Sequence, residues 1–154
     1  MMENRTVLFV DDDVIVLQSL ERGLIEESYN KYFVSNCTEA LEIIQREEIH
    51  VLVTDMCMPE MNGLELLREA RKVHPNMVCI ALSGYEKDEE LKNAVDQGEI
   101  FRVINKPWKL RNENFEKIIQ RALKQFDNND SSEEGKFEQC KSKLKKWIKI
   151  CSDK

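Results

Sequence analysis

Five short apolar segments alternate with segments of helical periodicity along the first 126 residues, and this alternation limits the possible folds more than any other feature. The apolar segments span 6–10, 31–35, 51–54, 77–82 and 101–104. Several are unbroken runs of apolar and β-branched residues, which is typical of strands covered by helices on both faces. Five strand–helix alternations predict a parallel sheet with right-handed crossovers and helices on both sides.

Each predicted helix carries an apolar stripe that would pack on the sheet. The stripes are Val14, Leu17, Leu20, Leu24 and Ile25; Ala40, Leu41, Ile43 and Ile44; Leu64, Leu66, Leu67 and Ala70; Leu91, Ala94 and Val95; and, after Pro107, Phe115, Ile118, Ile119, Ala122, Leu123 and Phe126. With five strands we expect an α/β, flavodoxin-like, doubly wound sandwich of strand order 2-1-3-4-5. That order places a binding site at the carboxyl ends of the first and third strands.

The composition changes after this region. A polar run at 127–132 predicts a linker between a domain at 1–126 and a C-terminal segment at 133–154. The C-terminal segment has a net charge of +3, which leaves −9 for the first 132 residues of a chain whose total is −6. Its apolar residues recur at helical spacing, which predicts a basic amphipathic helix: Phe137, Cys140, Leu144, Trp147, Ile148 and Cys151.

Three roles are open for this C-terminal helix. The favoured one is packing on its own domain or on a second copy of the chain, which would make a homodimer. A basic amphipathic helix also suits an acidic membrane surface or a groove on a partner. The third role is the start of a linker to an output domain, because 22 residues cannot form such a domain alone.

The overall charge and the cysteines exclude several classes of protein. A net charge of −6 argues against direct nucleic-acid binding, which depends on Lys and Arg. No apolar run is long enough for a membrane span or a signal peptide, so we expect a cytoplasmic protein. The five cysteines form no CxxC pair, which favours reduced thiols and argues against a structural zinc site.

Three consecutive carboxylates, Asp11 to Asp13, follow the first predicted strand. Asp13 alone could cap the next helix, but only one residue can occupy a cap and the others would repel each other. The cluster therefore favours a hard divalent cation, and its oxygen ligands suit Mg²⁺ or Mn²⁺.

Polar groups also end three other strands. Asp55, Ser83 and Lys106 close the third, fourth and fifth apolar segments. Each alone would be an ordinary turn residue or surface charge. Because the carboxyl ends of parallel strands share one edge of the sheet, we expect all of them to converge there with the acidic cluster.

The strings VLFVDDD, VTDMCMPEMNG, ALSG and INKPW together resemble the receiver domain of bacterial two-component response regulators over residues 4–126. The resemblance implies that Asp55 is the phosphoacceptor and that Mg²⁺ is bound by Asp12, by Asp55, by Asp11 through water and by the backbone carbonyl of Cys57. It also implies that the phosphoryl oxygens are held by Ser83 and Lys106. The LSGY and KPW variants look most like receivers that precede HD-GYP phosphodiesterase domains.

The resemblance further implies the partners. A sensor histidine kinase or a phosphotransfer protein would supply the phosphoryl group, and a downstream effector or an output domain outside this chain would read the resulting conformational change. The reading surface is expected on the fourth helix, fifth strand and fifth helix. One position departs from the family: Val103 stands where an aromatic residue usually takes part in the switch, and Phe101 and Arg102 precede it.

Three other hypotheses compete with a stand-alone receiver. The chain could be the receiver portion of a longer regulator whose output portion is a phosphodiesterase or binds DNA. A haloacid-dehalogenase-like phosphohydrolase also uses an aspartyl phosphate, but it needs a second Asp two positions after the nucleophile, where this chain has Cys57. Cys57 could instead be a redox-sensitive thiol, although most free cysteines only fill space.

Overall fold

The structure is a computed structural model that describes residues 4–83, 89–105 and 115–129. It confirms the predicted parallel sheet, whose strand order is β2-β1-β3-β4-β5. The strands are β1 (Thr6–Val10), β2 (Asn30–Val34), β3 (Val51–Asp55), β4 (Val78–Ser83) and β5 (Arg102–Asn105). The helices are α1 (Val14–Gly23), α2 (Cys37–Arg46), α3 (Gly63–Val73), α4 (Glu89–Asp96) and α5 (Phe115–Asn129).

Strand alternation divides the interior into two hydrophobic cores, one on each face of the sheet. In β1, Leu8 and Val10 belong to the core that includes the apolar residues of α2, α3 and α4. Val7 and Phe9 belong to the core that includes those of α1 and α5. Successive strand residues face opposite sides, so one continuous apolar run can fill both cores.

The three central strands are buried along their whole length, as continuous apolar runs predict. The two edge strands are more exposed, because each has a neighbour on one side only. Strands β2, β4 and β5 are displaced by one residue from the predicted segments, and β3 extends to Asp55. Boundaries of this kind depend on hydrogen bonds with the neighbouring strand, which apolar patterns do not report.

The predicted stripe of α1 is wrong at two positions. Leu17, Leu20 and Leu24 are buried, but Val14 is 52% and Ile25 is 74% exposed. A helix turns by about 100° per residue, which places Val14 roughly 90° from the centre of the arc formed by the three leucines. Ile25 follows the end of the helix at Gly23. Ile15 is exposed as well, so all the large exposed apolar side chains of the described residues lie in or next to α1.

Helix ends follow the polar residues of the sequence. Asp13, Asn36 and Asn62 are the N-caps of α1, α2 and α3, and the side chain of each accepts a backbone N–H bond. Gly98 has a φ of +79° just after α4, which suits glycine because it has no Cβ.

Helix α5 continues to Asn129, three residues into the segment predicted as a linker. The remaining linker residues, 130–132, and the predicted amphipathic helix at 133–154 lie outside the described residues, as do Lys106 and the segment 84–88. Of the helices in the described part of the chain, none combines the length and the apolar character required to cross a lipid bilayer.

A buried histidine joins three elements at the amino end of the sheet. The Nδ1 atom of His50 accepts a hydrogen bond of 3.0 Å from the Thr6 amide, and its ring packs edge-on against Phe126 of α5, with 4.6 Å between ring centroids. The guanidinium of Arg5 lies over the Phe126 ring, 5.5 Å from its centroid, and pairs with Asp127. Burial, with a smaller contribution from the Arg5 charge, lowers the pKa of His50 to about 4.

We therefore expect the free energy of unfolding to fall as the pH is lowered from about 6.5 toward 4. In this range the unfolded chain protonates His50 while the folded chain keeps it neutral, so acid favours unfolding. The full shift corresponds to about 3 kcal/mol. Urea unfolding at several pH values measures the effect, with His50→Asn as the control, since Asn keeps an acceptor but does not titrate.

The variant should show a shallower pH dependence than the parent chain. Some dependence should remain, because burial also lowers the pKa of His74. Identical slopes in the two proteins would contradict the role given to His50.

Candidate functional site

Three neighbouring strands bring the predicted acidic and hydroxyl groups to the carboxyl edge of the sheet. Val10 lies opposite Thr54 in the pairing of β1 with β3. Asp11 follows Val10 and Asp55 follows Thr54, so the two carboxylates occupy neighbouring positions at the ends of the two strands. In the pairing of β3 with β4, Asp55 lies opposite Leu82, and Ser83 follows. The strand register therefore brings Asp11, Asp55 and Ser83 to the same edge of the sheet.

The carboxylates of Asp11, Asp12 and Asp55 form one cluster. Each offers a carboxylate oxygen, and these oxygens all lie within 4.8 Å of one another. Asp11 is fully buried and Asp55 is 7% exposed, whereas Asp12 is exposed. Charged carboxylates lose hydration on burial and repel each other at this distance, so the cluster is costly without a compensating cation.

Backbone amides orient the two buried carboxylates. The Asp13 amide donates a hydrogen bond of 2.9 Å to Asp11 Oδ1. The Cys57 amide donates one of 3.3 Å to Asp55 Oδ1. Asp13 itself is the cap of α1, with Oδ1 accepting a 3.0 Å bond from the Ile15 amide, so the run of three carboxylates divides into one capping residue and two cluster residues.

The cluster fits a small hard cation such as Mg²⁺. Carboxylate oxygens are the ligands that this ion prefers. Those of Asp11, Asp12 and Asp55 are gathered within 4.8 Å of one another. Asp11, Asp12 and Asp55 are therefore suited to hold the ion.

The loop between β3 and α3 closes over this edge. Its two ends are joined by a hydrogen bond of 3.2 Å from the Gly63 amide to the Met56 carbonyl. The Met56 amide donates to Leu82 of β4 at 3.1 Å, and the Cys37 thiol donates to the Met61 carbonyl at 3.5 Å. The sequence did not indicate the contact of Cys37, because nothing local links the start of α2 to a loop 24 residues later.

Ser83 is buried at the end of β4 and pairs in register with Asn105, the last residue of β5. It follows Leu82, the residue opposite Asp55, and so lies at the same edge of the sheet as the carboxylate cluster. Lys106 follows Asn105 directly in the sequence but lies outside the described residues. Its role therefore stays a prediction.

Val103, the residue that departs from the family pattern, is half-buried and packs against the core on the α2–α4 face. Phe101, the nearest aromatic residue, packs against the opposite core. The aromatic ring that the sequence places close to Val103 is thus on the wrong face of the sheet to replace it.

The described cysteines differ in their exposure. Cys37 and Cys79 are buried, and burial raises the pKa of each, to about 12 for Cys79. Cys57 is exposed, two residues after Asp55. Because the thiolate is the reactive form, burial makes Cys37 and Cys79 inert and leaves Cys57 as the accessible thiol of the described residues.

Comparisons with known proteins agree with this geometry. A family model for the response regulator receiver domain matches residues 7–120. The chain is 37% identical over 103 residues to the hydrogenase transcriptional regulatory protein HoxA of Cupriavidus necator, which covers 67% of this chain and 21% of HoxA. It is 30% identical over 107 residues to the response regulator receiver protein CpdR of Brucella abortus, covering 70% of this chain and 88% of CpdR.

A solved structure has a similar fold. The CheY-like response regulator receiver domain protein of Methanospirillum hungatei shares 30% identity and a TM-score of 0.70, with 81% of this chain and 98% of that chain covered. The chain spans about a fifth of the length of the HoxA proteins that it matches, 21% in each case.

If the carboxylate cluster binds Mg²⁺, replacing Asp12 by Asn should weaken binding by about tenfold or more, because one of three negative ligands is lost. The matched control is Asp13→Asn, since Asn caps a helix as well as Asp and position 13 is outside the cluster. Isothermal titration with MgCl₂ compares the two variants with the parent chain. Equal affinities for the Asp12 and Asp13 variants would contradict the assignment.

Proposed function

The chain belongs to the response regulator receiver family, and we propose that it signals by accepting a phosphoryl group on Asp55. The observation that supports this most is the position of Asp55. Its carboxylate is almost fully buried at the carboxyl edge of the sheet, with oxygens of Asp11 and Asp12 within 4.8 Å. A nucleophilic carboxylate beside a divalent-cation site is the arrangement that phosphoryl transfer to aspartate requires.

In the proposed reaction an oxygen of the Asp55 carboxylate forms a bond to phosphorus. At the same time the bond between phosphorus and the donor breaks, and the donor's nitrogen or oxygen leaves with the electron pair of that bond. The Cys57 amide, which donates to Asp55 Oδ1, keeps one carboxylate oxygen engaged and so orients the carboxylate. Transfer of this kind depends on positioning and on charge neutralisation more than on covalent assistance.

Mg²⁺, with Mn²⁺ as a substitute, would be held by Asp11, Asp12 and Asp55 and by the backbone carbonyl of Cys57. When bound, it offsets the charge of the carboxylates and of the incoming phosphoryl group. The proposal explains why two of the three carboxylates are buried. Such an ion would relieve the repulsion among them.

Ser83 and Lys106 are proposed to recognise the phosphoryl group once it is attached. The Ser83 hydroxyl would donate a hydrogen bond to a phosphoryl oxygen and Lys106 would pair with another. Movement of Ser83 toward the phosphoryl group would then change the adjoining segment and α4. Since Val103 is aliphatic, this switch would work without the inward rotation of an aromatic ring at that position.

The proposed donor of the phosphoryl group is a sensor histidine kinase or a phosphotransfer protein. The proposed location of the protein is the cytoplasm. The exposed side chains of Val14 and Ile15 directly follow the three consecutive carboxylates and offer an apolar contact for the donor protein. The effector is proposed to bind α4, β5 and α5. Edge strand β5 has two exposed residues, Arg102 and Asn105, and no neighbour on its outer side in the described part of the chain.

Two arrangements of the output are supported by the comparisons in different ways. The aligned region covers 88% of CpdR, which suits a stand-alone receiver that acts on separate proteins. HoxA is about five times longer than the aligned region, which suits a receiver that is one portion of a longer regulator. The LSGY and KPW sequences favour a relationship to receivers of HD-GYP regulators within the second arrangement.

A phosphohydrolase of the haloacid-dehalogenase type is the less favoured function. Its general acid and base would stand two positions after Asp55, where Cys57 has an exposed thiol instead of a carboxylate. The aspartyl phosphate of this chain would therefore serve as a signal and not as an intermediate in rapid phosphate-ester hydrolysis.

Incubation with acetyl phosphate and Mg²⁺ should add one phosphoryl group per chain, measured by intact mass. Chelation of Mg²⁺ should prevent the addition, and Asp55→Asn should remove it because the nucleophile is lost. The control is Asp13→Asn, which keeps the cap of α1 and should label like the parent chain. Normal labelling of the Asp55 variant would falsify the assignment.

Replacing Lys106 or Ser83 by Ala should permit some labelling but weaken the response to it. Both residues are proposed to bind the attached group, and neither is the nucleophile. Amide chemical shifts in α4 and β5, recorded before and after labelling, measure the response. Shifts as large as those of the labelled parent chain in both variants would show that the switch runs through other residues.

A further inference from the structure

Gly63, the first residue of α3, is packed directly against the backbone of the proposed phosphoacceptor. A Cβ atom at this position would lie 2.3 Å from the Asp55 carbonyl oxygen, 2.4 Å from Met56 Cε and 3.1 Å from the Asp55 carbonyl carbon. Distances below 3.0 Å are essentially never found for real Cβ atoms. The space beside the Asp55 peptide is therefore large enough for glycine alone.

The reason for glycine at this position is space and not backbone conformation. Gly63 has no positive φ, whereas Gly98 does, at +79°. Gly98 shows the opposite case, because a Cβ atom there would meet nothing within 4 Å. Glycine is therefore required for two different physical reasons: a side chain would be crowded at position 63, and the backbone conformation favours glycine at position 98.

The contact also determines where the loop from Met56 to Gly63 can lie. The Gly63 amide donates to the Met56 carbonyl at 3.2 Å, so the start of α3 is joined to the residue that follows Asp55. Asn62 fixes the other side of this junction, since its Oδ1 accepts from the Glu65 amide at 2.8 Å and its Nδ2 donates to Glu65 Oε1 at 3.0 Å. The first turn of α3 is thus held firmly against the Asp55–Met56 peptide.

From this geometry we propose that Gly63 is a positioning residue for phosphoryl transfer, and that its missing side chain sets the placement of the Asp55 carboxylate. The inference rests on the proposed function of Asp55. A side chain at position 63 would force apart α3 and the Asp55 peptide, because the nearest obstacle is a backbone carbonyl that cannot turn aside. The displacement would reach the Cys57 amide, whose bond to Asp55 Oδ1 orients the carboxylate.

Two groups would crowd a Cβ atom at position 63, the Asp55 carbonyl and the end of the Met56 side chain, and mutation can distinguish their effects. Met56 Cε is the end of a flexible side chain and can rotate away, but the Asp55 carbonyl oxygen belongs to β3. Buried backbone in a central strand is held by its neighbours on both sides and cannot yield easily. The proposal assigns the effect to the backbone contact.

The test compares Gly63→Ala with Gly98→Ala in the full chain. Alanine at 98 strains the backbone at the end of α4 without adding a contact, so it controls for a general loss of stability. The initial rate of labelling by acetyl phosphate is measured by intact mass over a range of Mg²⁺ concentrations. Thermal unfolding of each variant identifies a temperature at which all the proteins are folded.

At saturating Mg²⁺ we expect Gly63→Ala to label about tenfold or more slowly than the parent chain, and Gly98→Ala to remain within about twofold of it. The half-saturating Mg²⁺ concentration should change less than the maximal rate, because two of the three carboxylates of the cluster, Asp11 and Asp12, are not displaced. Adding Met56→Ala to Gly63→Ala should not restore the rate.

Three outcomes would overturn the proposal. They are equal rates for the two glycine variants, a loss confined to Mg²⁺ affinity with the maximal rate retained, and recovery on adding Met56→Ala. If Gly63→Ala does not fold, Asn62→Ala loosens the same junction without adding an atom, and a rate equal to that of Gly98→Ala then overturns it. Failure of the parent chain to label would instead refute the function of Asp55 itself.

Discussion

The mutual repulsion of Asp11, Asp12 and Asp55 is the constraint on which the site depends. Their oxygens lie within 4.8 Å of one another, and two of the three side chains are buried. The rest of the domain has to hold these charges together against both repulsion and lost hydration. A central strand pair does so because β1 and β3 are adjacent, fully buried and fixed in register by backbone hydrogen bonds.

The same constraint explains the arrangement of the surrounding loops. Backbone amides of Asp13 and Cys57 point at the two buried carboxylates, so each loop begins with a donor directed at the charge that precedes it. Helices α1 and α3 then start one residue and six residues after those donors and are capped by Asp13 and Asn62. The caps satisfy the helix ends at the edge of the sheet where the site lies.

The contacts at the opposite edge of the sheet stabilise the fold. There His50 accepts a bond from the Thr6 amide and packs on Phe126, while Arg5 pairs with Asp127. These contacts join β1, the residue before β3, and α5, and they lie at the opposite end of the same strands from the carboxylates. The domain is thus stabilised at its amino edge by packing, hydrogen bonds and a pair of opposite charges, whereas like charges meet at its carboxyl edge.

The sequence by itself predicted the strand order, the meeting of the Asp11–Asp13 run with Asp55 at one edge of the sheet, and the buried faces of α3 and α5. These depend on local periodicity and on the rule that parallel strands end at one edge, so no three-dimensional information was needed. Tertiary structure alone decided which of the three consecutive carboxylates caps α1, why Val14 and Ile25 remain exposed, and why position 63 admits only glycine. The first two depend on where α1 begins and ends, and the third depends on the distance between atoms of α3 and β3. The spacing of residues along the chain contains neither.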